Sequence, residues 1–466
     1  GLLPRGEDPQ WSTALGATDL KINLQAKPSE STPATYYDFN GKIGNLTVAS
    51  NGSFMLSTGL KGTGIKGVTE ISSPSSATLI NLLGGAIETV DAIPGKAVIV
   101  ADGVIQESFQ IDLQGDVYRS RVQYSGRVTP NAEGLVLDGD LTVQSPEGRD
   151  LLGALKLPVS SPLAGQFSFA SKISTEGKTM TFDKIDAKLA GLTVSGGAAL
   201  EDRARLTGDF SVNDVSLVDV IAPVFLPWKG RPATLEESFA KSLPYGLTGE
   251  VWVRPKTLEV YPGLAVSDAE IGITATAEET RLAAYATAAG SEKITVEIAL
   301  APAASTQKIT GLLSLPVDVF QHLKRDDGSA IASGLARVEI KFDSEGRSFG
   351  GALATLNGRG SFTVADGKLL NITPENFSKL IVAAKDAEGL KTAFEGLHQG
   401  NGIKLGAVSG SVNIANGVAV FSPFGTTTPD ATALVKPVAE LADGKIDIGV
   451  VLSLKALPEL PPMEIS

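Results

Sequence analysis

The chain has 466 residues, enough for two or three domains and a sizeable core. Its 52 acidic and 40 basic residues leave a formal charge of −12, which argues against a nucleic-acid binder, whose surface must neutralise phosphates. There is no cysteine, which excludes disulfide frameworks and thiolate zinc sites and suits an exported bacterial protein, and two histidines are thin for imidazole catalysis.

In chain order, GLLPRGEDPQW opens without a methionine or a signal peptide. It reads as the middle of a longer protein, with an anchor or export signal expected upstream. DLKINLQ, from Asp19, is a first weak strand alternation. GTGIKG, from Gly62, matches the dinucleotide pattern, but VTEISS comes next where a helix should begin, so flexible loop glycines explain it better. SPSSATLINLLGG and SPEGRDLLGALK predict two short connector helices, with Ser73 and Ser145 as N-caps and Pro74 and Pro146 at the first helical position. SFQIDLQG and GQFSFAS alternate between and after them. VSLVDVIAPVFLPW, from Val215, is the most apolar run; Asp219 and two prolines interrupt it, and it falls short of the roughly 20 residues that span a bilayer. PWKGRP, Pro227 to Pro232, is the candidate boundary between regions 1–226 and 227–466.

Beyond that boundary the alternation is cleaner. KITVEIAL puts Ile294, Val296, Ile298 and Leu300 on one face, and LARVEIKFD does the same with Ala336, Val338, Ile340 and Phe342. LPVDVFQHLKRDDG predicts a third connector helix. In LNGRGSFTVADGKLLNI, Phe362 and Val364 alternate with Ser361, Thr363 and Ala365, and Asp366-Gly367 reads as a tight turn before a returning strand. TPENFSKLIVAAKDAEGLKTAFEGL predicts one longer helix near 373–398, capped by Thr373, started by Pro374 and broken or kinked at Gly389. KIDIGVVLSL returns to strand, with Ile446, Ile448, Val450, Leu452 and Leu454 on one face.

Ten Asn-Gly or Asp-Gly dipeptides punctuate the chain, at 40, 51, 102, 138, 327, 357, 366, 401, 416 and 443, and each reads as a hairpin turn. The fold class is therefore mainly β, antiparallel, with a few short helices. So few helices cannot cover a long sheet. Its apolar face must fold over on itself, pair with a second sheet as in an ordinary sandwich, or receive an apolar guest.

No catalytic constellation appears. His322 and His398 lack carboxylate or serine partners in sequence, and Asp326 and Asp327 beside Gly328 read as a solvated turn with too few oxygens for a cation. NLT, NGS and NIT matter only in a eukaryotic secretory pathway. The expectation is a protein without enzymatic activity, metal or cofactor.

LNGRGSFTVADGKLLNITPENFSKLI, the upstream ARVEIKFDSEGRSFGGALATLNGRG, TAFEGLHQGNGIKLGAVSGSVNIANGVAVF with Phe394, Ser411 and Gly417 in order, and ADGKIDIGVVLSLKALPELPPMEIS together resemble the C-terminal region of the AsmA-like family of bacterial envelope proteins. Asn371-Ile372 departs from the family's Gly-Ile. The likeness runs from about Pro227 to Ser466 and is weaker, though similar in rhythm, from Asp19 to Leu226. It implies a periplasmic protein tethered to the inner membrane by an N-terminal helix absent from this chain. It also implies an elongated, curled sheet forming an apolar groove, which carries phospholipid from inner to outer membrane and supports outer-membrane biogenesis. The groove lining it implies comprises Ile294, Val296, Ile298, Val338, Ile340, Phe342, Phe362, Val364, Ile446, Ile448, Val450 and Leu452. Expected partners are phospholipid acyl chains, both membranes through parts outside this chain, and other envelope proteins, with no nucleic acid. The competing reading is a structural or assembly factor for outer-membrane proteins, acting through a sheet edge. A surface adhesin or carbohydrate-degrading enzyme would show more Trp and Tyr than the three and seven present, or a paired-carboxylate site.

Overall fold

In a computed structural model, the described residues are 18–27, 34–55, 63–82, 92–104, 107–131, 134–148, 150–151, 165–189, 191–226, 236–240, 246–288, 292–317, 332–370, 374–397, 403–427, 429, 431–455, 458–459 and 461–465. The protein is mainly β: strands make up 71% of it and helices 11%. Two compact units divide the chain. The first comprises Gly1–Thr234, Ser242–Leu264 and Gly272–Ala277; the second comprises Leu235–Lys241, Ala265–Ile271 and Glu278–Ser466.

The first unit is a strand meander. Its early strands are β1 (Thr18–Lys27), β2 (Ala34–Ile43), β3 (Leu46–Met55), β4 (Gly64–Ser73), β5 (Gly95–Val104) and β6 (Ser108–Val117). Then come β7 (Ser120–Asn131), β8 (Gly134–Ser145), β9 (Phe167–Glu176), β10 (Thr179–Leu189), β11 (Leu192–Glu201) and β12 (Arg205–Ser216). Each pairs antiparallel with the next. Helix α1 (Ser76–Leu82) lies between β4 and β5. After β12, helix α2 (Leu217–Phe225) makes a crossover, so that β13 (Thr248–Tyr261) pairs parallel to β12. Ser216 caps α2 by accepting from the Asp219 amide, and Leu217, Val220, Val224 and Phe225 are its buried side. Two short strands come next, β14 (Leu264–Ser267) and β15 (Glu270–Ala275), of which Ala265–Ser267 and Glu270–Ile271 belong to the second unit.

The second unit repeats the plan. Strands β16 (Thr280–Ala288), β17 (Glu292–Ala303), β18 (Thr306–Val317), β19 (Ala332–Gly346), β20 (Asn357–Leu369), β21 (Ile403–Ala415) and β22 (Val418–Phe421) pair antiparallel in sequence order. Helix α3 (Phe349–Leu353) sits between β19 and β20. Strands β22 and β23 (Phe424–Thr427) share β24 (Ala431–Glu440) as partner; β25 (Lys445–Leu454) pairs with β24, and β26 (Met463–Ile465) meets only three residues of β25.

The helix expected near 373–398 is two helices, α4 (Pro374–Ala383) and α5 (Ala387–Leu397). The break comes before Gly389, because Asp386 Oδ1 accepts from the Gly389 amide at 2.8 Å and starts a new helix. Gly389 therefore lies in the first turn of α5. The first connector helix also begins late. Ser73 ends β4, its Oγ accepts from the Ser75 amide at 3.1 Å, and α1 opens at Ser76. Half of SPEGRDLLGALK, the connector holding His322, Asp326 and Asp327, the PWKGRP boundary, Asn371-Ile372 and His398 lie outside the described residues; Ser145 itself ends β8, and its Oγ donates to the Glu147 carbonyl at 2.8 Å.

The dipeptide turns are the main correction. Only Asn416-Gly417 and Asp443-Gly444 sit at hairpin turns; Asp327-Gly328 and Asn401-Gly402 lie outside the described residues, and the other six lie within strands. Asp366-Gly367 does not turn the chain: β20 runs through it as a bulge, with Asp366 at φ 52° and register shifts on both sides. In five of the remaining cases the Asn or Asp points to the polar side and the glycine to the apolar side. At Gly52, Gly103 and Gly139 the glycine makes room for a neighbouring side chain. A Cβ on Gly52 would lie 2.7 Å from the Tyr37 hydroxyl, one on Gly103 2.7 Å from Phe109 Cβ, and one on Gly139 2.9 Å from the Tyr124 hydroxyl. Several tight turns use other residues, such as Tyr118-Arg119 and Asp202-Arg203, all four at positive φ.

A candidate apolar ligand face

Directly opposed residues of paired strands project to the same side, so the register decides which side chains share a face. In the second unit one row runs Ile298, Gly311, Phe342, Gly358, Ile414, Ala419, Ala439, Ile446. A second runs Val296, Leu313, Ile340, Gly360, Val412, Phe421. Val338 opposes Phe362, and Ala336 opposes Val364. All twelve residues expected to line a groove therefore stand on one face of one ladder.

Their surroundings differ along it. Phe362, Val364, Val450 and Leu452 belong to a closed cluster with Ile403, Leu405, Val408, Ala431, Ala433 and Val435, against which Val338 and Ile448 pack. Leu380 and Ile381 of α4 and Ala393 of α5 cover this cluster. Phe362 also meets Phe421 edge-on at 5.5 Å and Phe424 at 5.7 Å. Ile294 and Val296 are buried, and Ile298 and Phe342 half-buried. Ile340 packs beside Val412 and Ile414 in a second cluster. Ile446, at the outer end of the row, is 45% exposed.

The first unit carries a comparable face that shows in the sequence only as weak alternation. One row runs Phe39, Ser50, Thr69, Ile99, Leu113, Tyr124, Leu141, Ser171. The next runs Tyr37, Gly52, Gly67, Ala101, Ile111, Gly126, Gly139, Ile173. The third runs Thr35, Phe54, Ile65, Gly103, Phe109, Val128, Leu137. A line of mostly small residues thus lies between two lines of large ones. Helix α1 closes one end, where Leu79 packs with Leu46, Val48 and Val117. Further along, Ile65, Ile99, Phe109, Ile111, Leu113, Leu137 and Leu141 are only half-buried. DLKINLQ and SFQIDLQG are the available signal, and the glycines hide it by reading as turns.

The polar groups on this face are mostly satisfied from within. Ser50 and Thr69 hydroxyls bond each other at 2.8 Å, and Ser171 Oγ donates to the Asp183 carbonyl at 2.9 Å. The Tyr124 hydroxyl sits over Gly126 and Gly139, buried and without a hydrogen bond. Burial pushes its pKa above 10.0, the Asp138 charge adds to this, and the nearby Asp138 amide offsets part.

The opposite side of the first unit is charged and wet. Lys66 pairs with Asp102 at 2.9 Å, Lys96 with Glu70 at 2.9 Å and Lys172 with Asp138 at 3.1 Å. The Asp138 hydrogen bond raises the Lys172 pKa. Such exposed pairs add little to stability, so their effect is to mark which side faces water. Among the described residues no group of three or more His, Asp or Glu is placed to hold a metal ion, and no helix is long and apolar enough to cross a membrane. No family model, curated protein or solved structure matches this chain.

Proposed function

We propose that this chain is a non-enzymatic, AsmA-like envelope protein of the periplasm. In this reading it carries phospholipid acyl chains along its apolar strand faces, between the inner and outer membranes, in support of outer-membrane biogenesis. The observation that carries the reading is the half-buried apolar face of the first unit, repeated in register from strand to strand. Each acyl methylene taken from water gains roughly 0.8 kcal/mol, so such a face holds a lipid tail without specific contacts. Strands about 4.8 Å apart put the eight strands β2 to β9 on the order of 35 Å of contour, and a lining of similar residues lets a tail move without a deep well. Direction has to come from a gradient or an energised partner.

The test is a photocrosslinking residue placed at Ile111 and, separately, at Ile340, with mass spectrometry of captured and co-purified lipid. Capture at Ile111, together with an Ile111→Glu variant that folds but captures less, supports the reading. A folded chain that captures no lipid at either position defeats it, and an Ile340→Glu variant that fails to fold then favours a closed core. A second reading, an assembly factor binding proteins through a sheet edge, draws on β25, of which β26 covers only Val450 to Leu452. Protein rather than lipid captured beside Asp447 would favour it.

A further inference from the structure

Tyr37 stands in the row of small residues on the apolar face of the first unit. Its ring stacks with Phe54, at a centroid distance of 6.3 Å and an interplanar angle of 26°, and reaches across β3 and β4. A Cβ on Gly67 would lie 2.2 Å from the Tyr37 hydroxyl, so the glycine is what lets the phenol lie down on the sheet. Ser50, Thr69, Ser171 and Thr175 on this face all have hydrogen bonds within the protein. The Tyr37 hydroxyl, among the described residues, has none, and the Tyr37 side chain is half-buried.

A half-buried phenol held flat on oil, with its hydroxyl unpaired, is a donor waiting for an acceptor that arrives with an apolar body. Resting on the acyl-carrying reading above, we infer that Tyr37 is a specificity-determining residue that donates a hydrogen bond to the carbonyl oxygen at the head of an acyl chain. It thereby favours acyl esters and fatty acids over plain hydrocarbon. The ring supplies contact area to either ligand, but only the hydroxyl tells them apart. A site that offers a polar group loses it unpaired when the ligand lacks a partner, which is how discrimination arises.

The test uses the full chain and three diazirine probes: a phosphatidylcholine, hexadecanoic acid and hexadecane. Capture is scored on the peptide spanning Ala34–Met55. Tyr37→Phe keeps the ring and its seat, and should lower capture of one or both carbonyl-bearing probes about threefold to tenfold, the range of one hydrogen bond. Capture of hexadecane and the melting temperature should stay as they were. Loss with the ester alone assigns the ester as ligand; loss with both assigns the acyl carbonyl. Gly67→Ala, whose methyl displaces the phenol, should cause the same selective loss, with no further fall in the Gly67→Ala/Tyr37→Phe double variant. Unchanged capture of the carbonyl probes by Tyr37→Phe, or an equal fall with hexadecane, overturns the inference and leaves the acyl-carrying reading standing. A folded wild type that captures no probe at all overturns both.

Discussion

The two units solve one problem differently. Both lay an alternating meander with a polar and an apolar side, yet in the second the part of the apolar side around Phe362 is finished by protein, while Ile298 and Phe342 stay half-buried and Ile446 exposed. The α4–α5 pair, Phe421, Phe424 and the β24–β25 aliphatics bring Phe362 to 5% and Leu452 to 0% exposure. In the first, α1 seals one end and Val128 and Ile173 are buried, while Ile65, Ile99, Ile111 and Leu113 stay half-buried. Similar strand patterns thus end in a closed core or in a face that still touches water, and what decides between them is the presence of a covering element.

The contrast predicts a large difference in cavity cost. Leu452→Ala should destabilise by about 2–5 kcal/mol, because its neighbours cannot collapse around the missing atoms. Ile111→Ala, already partly in water and opposed by Gly126 and Ala101, should cost only about 1 kcal/mol. Urea denaturation of both variants measures this, and equal losses would mean that the first unit's face is closed after all.

Two tyrosines sharpen it further. Tyr124→Phe removes a buried hydroxyl that bonds nothing, so stability at neutral pH should be unchanged or rise by up to about 1 kcal/mol. Tyr285→Phe in the second unit removes a bond to Glu297 of 3.1 Å at an exposed site and should cost about 0.5 kcal/mol. The folded-state pKa of Tyr124 lies above its ordinary 10.0, so its contribution is complete below about pH 10 and is lost as pH rises through the folded value. Tyr124→Phe should therefore shrink the alkaline loss of stability in thermal melts taken from pH 9 upward. A variant that loses stability at neutral pH would show that the hydroxyl has a partner.

The smallest effect belongs to the charged side. Asp102→Ala breaks an ion pair whose side chains are 57% and 73% exposed, and should change stability by less than about 0.5 kcal/mol, less still in high salt. A larger, salt-insensitive loss would make that side something other than solvent-facing.

Much of the architecture is legible in the sequence, because period-two alternation reports directly on a sheet with one wet side. Ile340 and Phe342 are placed on the right face by their neighbours Glu339, Lys341 and Asp343 alone. The dipeptides mislead because an Asn-Gly or Asp-Gly pair satisfies two geometries: a tight turn, or a polar-out, empty-in step inside a strand. At Asp138-Gly139 the deciding fact is the Tyr124 ring laid over the glycine from the neighbouring strand, which no local window contains. The cover over Phe362 is hidden for a related reason. A helix pair of ordinary amphipathic sequence carries no mark of which strand it will lie on, and the Asp386 cap that splits it outweighs the glycine three residues on.

Pairing each strand with its sequence neighbour also has an evolutionary consequence. Contacts of this kind are short-range, like those of a repeat array, so hairpins form from nearby chain and stability adds up unit by unit. A hairpin is two strands: gaining or losing one leaves every other strand's direction and every side chain's facing intact, whereas gaining or losing a single strand would reverse the direction of all later ones. The length of such a ladder is therefore free to drift in even steps under selection. The parallel join of β12 to β13, made through α2, is the point where that counting restarts.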